Sequence, residues 1–359
     1  MFFNINLNSQ ILNKTLFLFG MSKITLNKIS KILGISKSTV SKSLNNYADV
    51  SPDTKKKVLD LAEKLNYKPN VFAQNLRTQE SKIIGLIIPE IIHYFFSTII
   101  ASVIATAETF GYSVIVVESD DDYKGEIKQL QALLDKNVDG ILLSLADNTV
   151  HLNHIKAVVN EGIPFVLYDK ISKLIDCNKV VIDDVKAAQM ATQHLIDIGS
   201  KKIALIRNHL KSQTTIDRQK GYKKALLENG FEYDRFLDFE AVDVSFNSGK
   251  ITADIICKNN KDVDGVFAVT DLMAIGALEA FKENKINVPE QVSVIGFSNW
   301  FLSQITTPHL STVDQPGFEI GKTAFKLLYQ EIQNKKNNVK EPSKTVVIPT
   351  TIISRGSTK

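Results

Sequence analysis

From Lys82 onward the chain repeats one pattern, a short apolar run followed by an amphipathic helix. The first runs are "KIIGLIIPE", "YSVIVVES", "VDGILLSL" and "IPFVLYDK", with helical segments such as "FFSTIIASVIATAETFG" and "EIKQLQALLDKN" between them. The cycle resumes after Val181 through "KKIALI", a short strand near "FEAVDV", "VDGVFAVT" and "QVSVIGF", again with helices between, among them "QKGYKKALLENG" and "DLMAIGALEAFKENK". Because these strands are apolar throughout, both of their faces must be covered, and a parallel sheet with crossover helices on each side does that. About ten strands suggest two sheets rather than one, so the pattern predicts an α/β body of two doubly wound parallel-sheet subdomains. Ligands of such sheets lie beyond the carboxyl ends of the strands, where two facing subdomains make a cleft.

What precedes the body differs in charge. The 359-residue chain carries +4 overall, yet Met21 to Glu80 has eleven Lys/Arg against five Asp/Glu, a net of +6. Lys14 adds one more, which leaves −3 for residues 81–359. A basic head on a slightly acidic body suits a polyanion-binding module joined to a part with another task. The head reads as an all-α domain over residues 21–66. Thr25 is placed as an N-cap ahead of Leu26, Ile29, Ile32 and Leu33 on one face, and Gly34 breaks that helix. Ser36 caps a second helix with Ile35 as its staple, and only Val40 and Leu44 of that helix point inward. Ser51, Pro52 and Asp53 open a third, whose apolar stripe is Val58, Leu61, Ala62 and Leu65. Helix, glycine-containing turn and short polar helix is the spacing of a helix-turn-helix. Lys37, Ser38, Ser41 and Lys42 lie on the exposed face of the second helix and Thr39 near its start, all able to bond base edges or phosphates. Thr25, Ser36 and Asn45 complete the candidate DNA surface. On charge and spacing alone, a three-helix bundle with a merely solvated face remains the alternative.

"YKPNVFAQNLRTQES" follows, with Pro69-Asn70 as a turn and a brief helical run from Val71 to Leu76. So short a helix is marginal in water by itself and forms against a partner. Leu76 has no obvious core to enter, and wedging between base steps in a minor groove is one use for it; an unstructured linker is the other reading. The segment "ITLNKISKILGISKSTVSKSLNNYADVSPDTKKKVLDLAEKLNYKPNVFAQNLRT" closely resembles the N terminus of lactose-repressor (LacI) family transcription regulators. "VPEQVSVIGF", "TTPHLSTVDQPGFEIGKTAFKLL" and "SRGST" extend the resemblance to that family's effector domain, itself similar to periplasmic sugar-binding proteins. The resemblance implies that the second helix reads the major groove, with Lys37, Ser38 and Lys42 at the discriminating positions. It also implies a hinge helix at residues 67–81 that inserts Leu76 into the minor groove, with Asn70 and Ala73 matching. Phe72 is bulkier than the residue usual there, and Gln74-Asn75 replaces a frequent Arg-Ser.

Effector contacts are expected at strand ends. His93, Phe95 and Phe96 in "HYFF" put aromatic faces at the cleft mouth, with core packing of the phenylalanines as the alternative. The resemblance implies cleft positions for Arg218, which would hold hydroxyls or carboxylates, and for Asp271 and Gln315. Asp183 sits where the chain crosses between subdomains. Asp271 also fits a cap on "DLMAIGALEAF", the preferred of its two roles. After "VIGF" the family usually has an aspartate that binds sugar hydroxyls, whereas this chain has Ser298-Asn299-Trp300. That change removes negative charge and adds a stacking surface. A carbohydrate-type effector is therefore expected, with a sugar acid held by Arg218 as the sharper version and a neutral sugar left open.

Residues 1–20, "MFFNINLNSQILNKTLFLFG", read as a disordered extension or a misassigned start, since their apolar patches are too short for a signal peptide or a membrane span. The body is drawn at 82–359, with an N-subdomain of about 82–182 and 312–340 and a C-subdomain of about 183–311 and 341–359. No GxSxG, HExxH or dinucleotide GxGxxG occurs, and "GFEIGKT" has one residue too few between its glycines for a P-loop. No catalytic residue, metal site or cofactor is assigned. "ESDDDYKGE" could hold a cation but reads better as a solvated loop, and Cys177 and Cys257 read as reduced thiols. The expected protein is a cytoplasmic, non-enzymatic regulator, a homodimer on double-stranded operator DNA with no membrane partner. The alternative, a solute-binding protein of sugar transport, needs an export signal and has no use for a basic head.

Overall fold

The computed structural model describes residues 24–67, 80–91, 94–209 and 212–359, in two compact units, 1–80 and 81–359. The expectations for residues 1–20, for the hinge residues Asn70, Ala73 and Leu76, and for His93 fall outside the described residues.

The first unit contains α1 (Leu26–Leu33), α2 (Lys37–Leu44) and α3 (Pro52–Lys64). Each begins on a hydroxyl that accepts from a backbone N–H: Thr25 from Lys28, Ser36 from Thr39 and Ser51 from Thr54. Gly34 ends α1 at φ 63°, a left-handed conformation that glycine adopts without a Cβ clash. Ile29, Val40, Val58 and Ala62 form the buried centre, with Ile35, Leu44, Leu61 and Leu65 packed against it. Ile32 departs from expectation at 52% exposed. The inward face is centred on Leu26, Ile29 and Leu33, and Ile32 lies roughly a quarter turn round the helix from it. Ser43, also unexpected, is buried because its hydroxyl donates to the Thr39 carbonyl at 2.8 Å.

The second unit is built on two six-stranded sheets. In the first lobe β1 (Ile83–Ile88), β2 (Ser113–Glu118), β3 (Gly140–Leu143), β4 (Phe165–Tyr168) and β5 (Asn178–Ile182) are linked by α4 (Tyr94–Thr109), α5 (Tyr123–Leu134) and α6 (Asn153–Asn160). In the second, β6 (Ile203–Arg207), β7 (Asp238–Glu240), β8 (Gly265–Ala268), β9 (Ser293–Phe297) and β10 (Ser311–Asp314) are joined through α8 (Gln213–Glu228), α9 (Phe246–Asn259) and α10 (Asp271–Glu283). α7 (Asp184–Asp197) leads in from β5 and packs on α8; α11 (Gly317–Lys336) leads back from β10 and packs on α4. The chain ends with β11 (Thr345–Ile348) and β12 (Thr351–Ile353).

Strand order is β2-β1-β3-β4-β5-β11 in one sheet and β7-β6-β8-β9-β10-β12 in the other. The pairings are parallel apart from β12, which runs antiparallel to β10. In each sheet the chain reverses its direction of winding beside the first strand, which opens a crevice at the carboxyl ends. The lobe boundaries need correcting. β10 belongs to the second sheet, so that crossing follows Asp314 rather than residue 311, and β11 returns to the first sheet before β12 closes the second. Runs as short as "STVD" and "TVVI" carry no local mark of the sheet whose edge they join.

Candidate functional site

On α2, Ser36, Lys37, Ser38, Lys42 and Asn45 are exposed, as is Thr25 before α1, while Thr39 and Ser41 are half-buried. Several of these side chains already have partners. The Ser36 hydroxyl shares hydrogen bonds with those of Ser38 at 2.6 Å and Thr39 at 2.8 Å, and Asn45 Nδ2 donates to the Ser41 carbonyl at 2.7 Å. The Lys42 ammonium pairs with Asp49, whose carboxyl is held below its usual range chiefly by that bond. Lys37 has no ion-pair partner among the described residues. The result is a polar helix face with one cation open and one tethered.

In the second unit a cavity of about 420 Å³ lies between the lobes, and much of its wall is made of residues that follow strands. Glu90 comes after β1, Asp121 after β2, Asp147 after β3, and Asp169 with Lys170 after β4. Opposite them, Asn208 and His209 follow β6, Asp243 follows β7, Thr270 follows β8, Ser298 follows β9 and Gln315 follows β10. Five non-glycine residues at this edge have left-handed backbone: Asp120 at φ 55°, Asp121 at 49°, Asp169 at 57°, Ser298 at 107° and Asn299 at 49°. Such conformations cost on the order of 1–3 kcal/mol each and persist where the surrounding structure enforces them.

Charge dominates the first-lobe wall. Lys170 Nζ lies 3.0 Å from Asp121 Oδ1 and 2.5 Å from Asp147 Oδ1. Burial works against the Lys170 ammonium, but Asp147 and Asp121 outweigh it and its pKa is raised. Asp169 accepts from Gln315 Nε2 at 3.0 Å, and Gln315 Oε1 accepts from Ser298 at 3.1 Å, so one amide ties the two lobes together. Burial, and then the charge of Asp184, push the Asp169 carboxyl up to about 6. Burial likewise raises Asp121, and burial together with Asp121 raises Glu90.

Of the expected effector residues, Phe95, Phe96, Arg218, Ser298 and Gln315 line this cavity. The two phenylalanines are each only 5% exposed and meet edge to face at 5.2 Å, so core packing is their main role and a rim contact the lesser one. Arg218 is 7% exposed: Nε donates to Asp184 at 2.8 Å, Nη1 donates to the Val269 carbonyl at 2.8 Å, and the guanidinium covers the Phe297 ring at 3.7 Å. Its charge is thus balanced by Asp184, and the expected sugar acid finds no spare cation there.

The other four expected residues lie elsewhere. Asp183 is exposed and caps α7 through Lys186 N at 3.0 Å. Asp271 does not cap α10, since Thr270 does so. Instead its buried carboxylate accepts from Trp300 N at 2.5 Å and Thr312 Oγ1 at 2.6 Å, bracing the turn after β9 from beneath. Burial raises its pKa to about 6. Gly296 leaves room for it, because a Cβ there would meet Asp271 Oδ1 at 2.3 Å. Asn299 donates to Asp314 at 2.8 Å and accepts from Arg355 at 2.7 Å, and Trp300 stands edge-on to Phe301 at 6.0 Å. "ESDDDYKGE" is more than a solvated loop, for Asp121 enters the cavity wall and Asp122 caps α5. Glu90, Asp121, Asp147, Asp169 and Lys170 were missed as site residues. Their signal was the switch from apolar to acidic residues just past each strand run, as in "IIPE" and "VLYDK".

Comparison with known proteins covers both units. Residues 84–336 match the model for a periplasmic binding protein domain, and residues 25–70 match that for bacterial regulatory proteins of the lacI family. Catabolite control protein A of Priestia megaterium is 32% identical over 337 residues, 94% of this chain and 99% of that protein. Among solved structures, the complex of the transcriptional regulator CelR with cellobiose aligns at TM-score 0.71 and 26% identity, covering 93% of this chain and 99% of its own. The lac repressor dimer bound to operator and the anti-inducer ONPF aligns at TM-score 0.83 and 25% identity, covering 94% and 99%.

Proposed function

Because the chain belongs to the lacI family of bacterial regulatory proteins, we propose that it binds operator DNA as a homodimer and tunes that binding to a sugar-type ligand in the interlobe cavity. The family's members regulate transcription, and we assign this chain no catalytic step. The observation that carries the reading is the pairing, in one chain, of a hydroxyl-capped helix-turn-helix with a hydrogen-bonding cavity between two lobes.

On DNA, two α2 helices related by a two-fold axis enter the major groove at half-sites about one helical turn apart. Lys37, Ser38 and Lys42 reach base edges and phosphates, and Thr25, Ser36, Thr39, Ser41 and Asn45 flank them. Lys42 exchanges Asp49 for DNA as it docks. Asn70, Ala73 and Leu76 serve the minor groove. In the cavity, Arg218, Ser298 and Gln315 meet ligand hydroxyls together with the first-lobe carboxylates, while Phe95 and Phe96 present their rims. Ligand binding changes how the lobes meet about the three chain crossings, and a coupling of about 1–3 kcal/mol to the DNA-bound state suffices for control. Acting on DNA places the protein in the cytoplasm. A transport-associated solute receptor, the rival reading, makes no use of the basic head.

The test is selection from randomised duplex DNA at several salt concentrations, with and without sugar pools. Enrichment of a two-fold symmetric site that weakens steeply with salt supports the reading. Enrichment of no site under either condition overturns it.

A further inference from the structure

The cavity, not its acidic residues, makes this a site; the acidic residues set the charge of what enters. Resting on the regulator reading above, we propose that the ligand pairs its hydroxyls with a positive charge: an aminosugar-class molecule whose ammonium seats on the first-lobe wall against Glu90 and the Asp121–Asp147 pair.

Three observations lead there. First, the described lining residues include five carboxylates, Glu90, Asp121, Asp147, Asp169 and Asp243, against the cations Lys170 and Arg218. Among these seven side chains that is a net of −3. Second, neither cation is available to an anion. Lys170 is held between Asp121 and Asp147, and Arg218 is committed to Asp184. Third, the Glu90 carboxylate is exposed at the cavity, no hydrogen-bond donor among the described residues reaches it, and it feels the like charge of Asp121. An incoming ammonium relieves that repulsion, whereas a carboxylate adds to it. The opposite wall supplies Asn208, Thr215, Thr270, Ser298 and Gln315, neutral groups suited to hydroxyls.

Charge-matched panels test this on the full-length protein by calorimetry. For glucose, galactose and mannose, the 2-amino sugar, the parent sugar and the uronate are compared near neutral pH at low and high salt. On whichever scaffold binds, the amine is expected to bind about tenfold tighter than the parent, the uronate about tenfold weaker, and salt is expected to narrow both gaps. Glu90→Gln, with folding checked by the fluorescence of the single tryptophan, is expected to shrink the advantage of the amine over the parent. A parent or uronate that binds as tightly as the amine overturns the charge inference and leaves the regulator reading intact. Failure of every scaffold in every charge state, with operator selection intact, overturns the inference and the sugar-type ligand with it.

Discussion

Replacing Arg218 with alanine tests how the ligand-binding unit is held together. Arg218 and Asp184 form a pair whose side chains are 9% and 10% exposed. Deleting one member of a buried pair costs about 3–5 kcal/mol, because the other charge stays behind without its partner. The lost cover over Phe297 and the orphaned Val269 carbonyl each add on the order of 1 kcal/mol, partly offset by relaxation around the site. A net loss of about 4 kcal/mol is expected. The loss should also depend on pH. Burial already raises the Asp184 carboxyl above its usual value, and Arg218 is the leading influence that restrains the rise. Without Arg218 the folded-state pKa climbs further. A carboxyl raised in the folded state favours folding below its unfolded value and loses that contribution as pH passes its folded value. Arg218→Ala should therefore be more damaging near pH 8 than near pH 5. Trp300 is the single tryptophan and lies in the same unit, so urea denaturation followed by its fluorescence reads this unit directly. Adding Asp184→Asn to Arg218→Ala should recover a large part of the loss. A cost below about 1 kcal/mol, or no recovery in the double variant, would refute a buried, mutually neutralising pair.

Other substitutions probe the remaining parts. Ser36→Ala removes the α2 cap and should cost about 1 kcal/mol locally; hydrogen exchange of α2 amides should quicken several-fold while the Trp300 transition stays in place. Lys37→Gln and Lys42→Gln should each weaken operator binding and lower the slope of log affinity against log salt by about one. Equal slopes in wild type and variants would remove these lysines from the phosphate contacts. Asp169 is raised from 3.8 to about 6 in the folded state, so it favours folding at low pH and loses up to about 3 kcal/mol as pH rises through that window. Asp169→Asn should flatten the fall in urea midpoint between about pH 4 and pH 7, and an unchanged profile would show that this carboxyl titrates normally.

The ligand site was legible in the sequence only in part. The family resemblance implies cleft positions for Gln315 and for the residues after "VIGF", and the structure places Gln315 and Ser298 on the cavity wall. Asp271 stands at the start of α10, where its sequence position fits a helix cap, yet the hydroxyl of Thr270 one residue earlier takes that role. What Asp271 does instead depends on Trp300 and Thr312, 29 and 41 residues away, and no local pattern reports such partners. The same distance effect hid the neutralisation of Arg218, whose counter-charge lies 34 residues earlier on another helix.

What the sequence determined by itself is what local forces determine. Apolar runs without alternation required parallel strands covered on both faces, hydroxyl residues placed the starts of α1, α2 and α3, and the excess of lysine marked the head. These properties follow from neighbours within about one helical turn or one strand. The tertiary structure alone decided that β10 and β12 extend one sheet and β11 the other. It also decided that Glu90, Asp121, Asp147 and Asp169, spread over 79 residues of chain, stand together on one wall. The physical reason is the parallel sheet itself: it brings every carboxyl end to the same edge, so residues separated by a whole strand–helix unit become neighbours whose charges add.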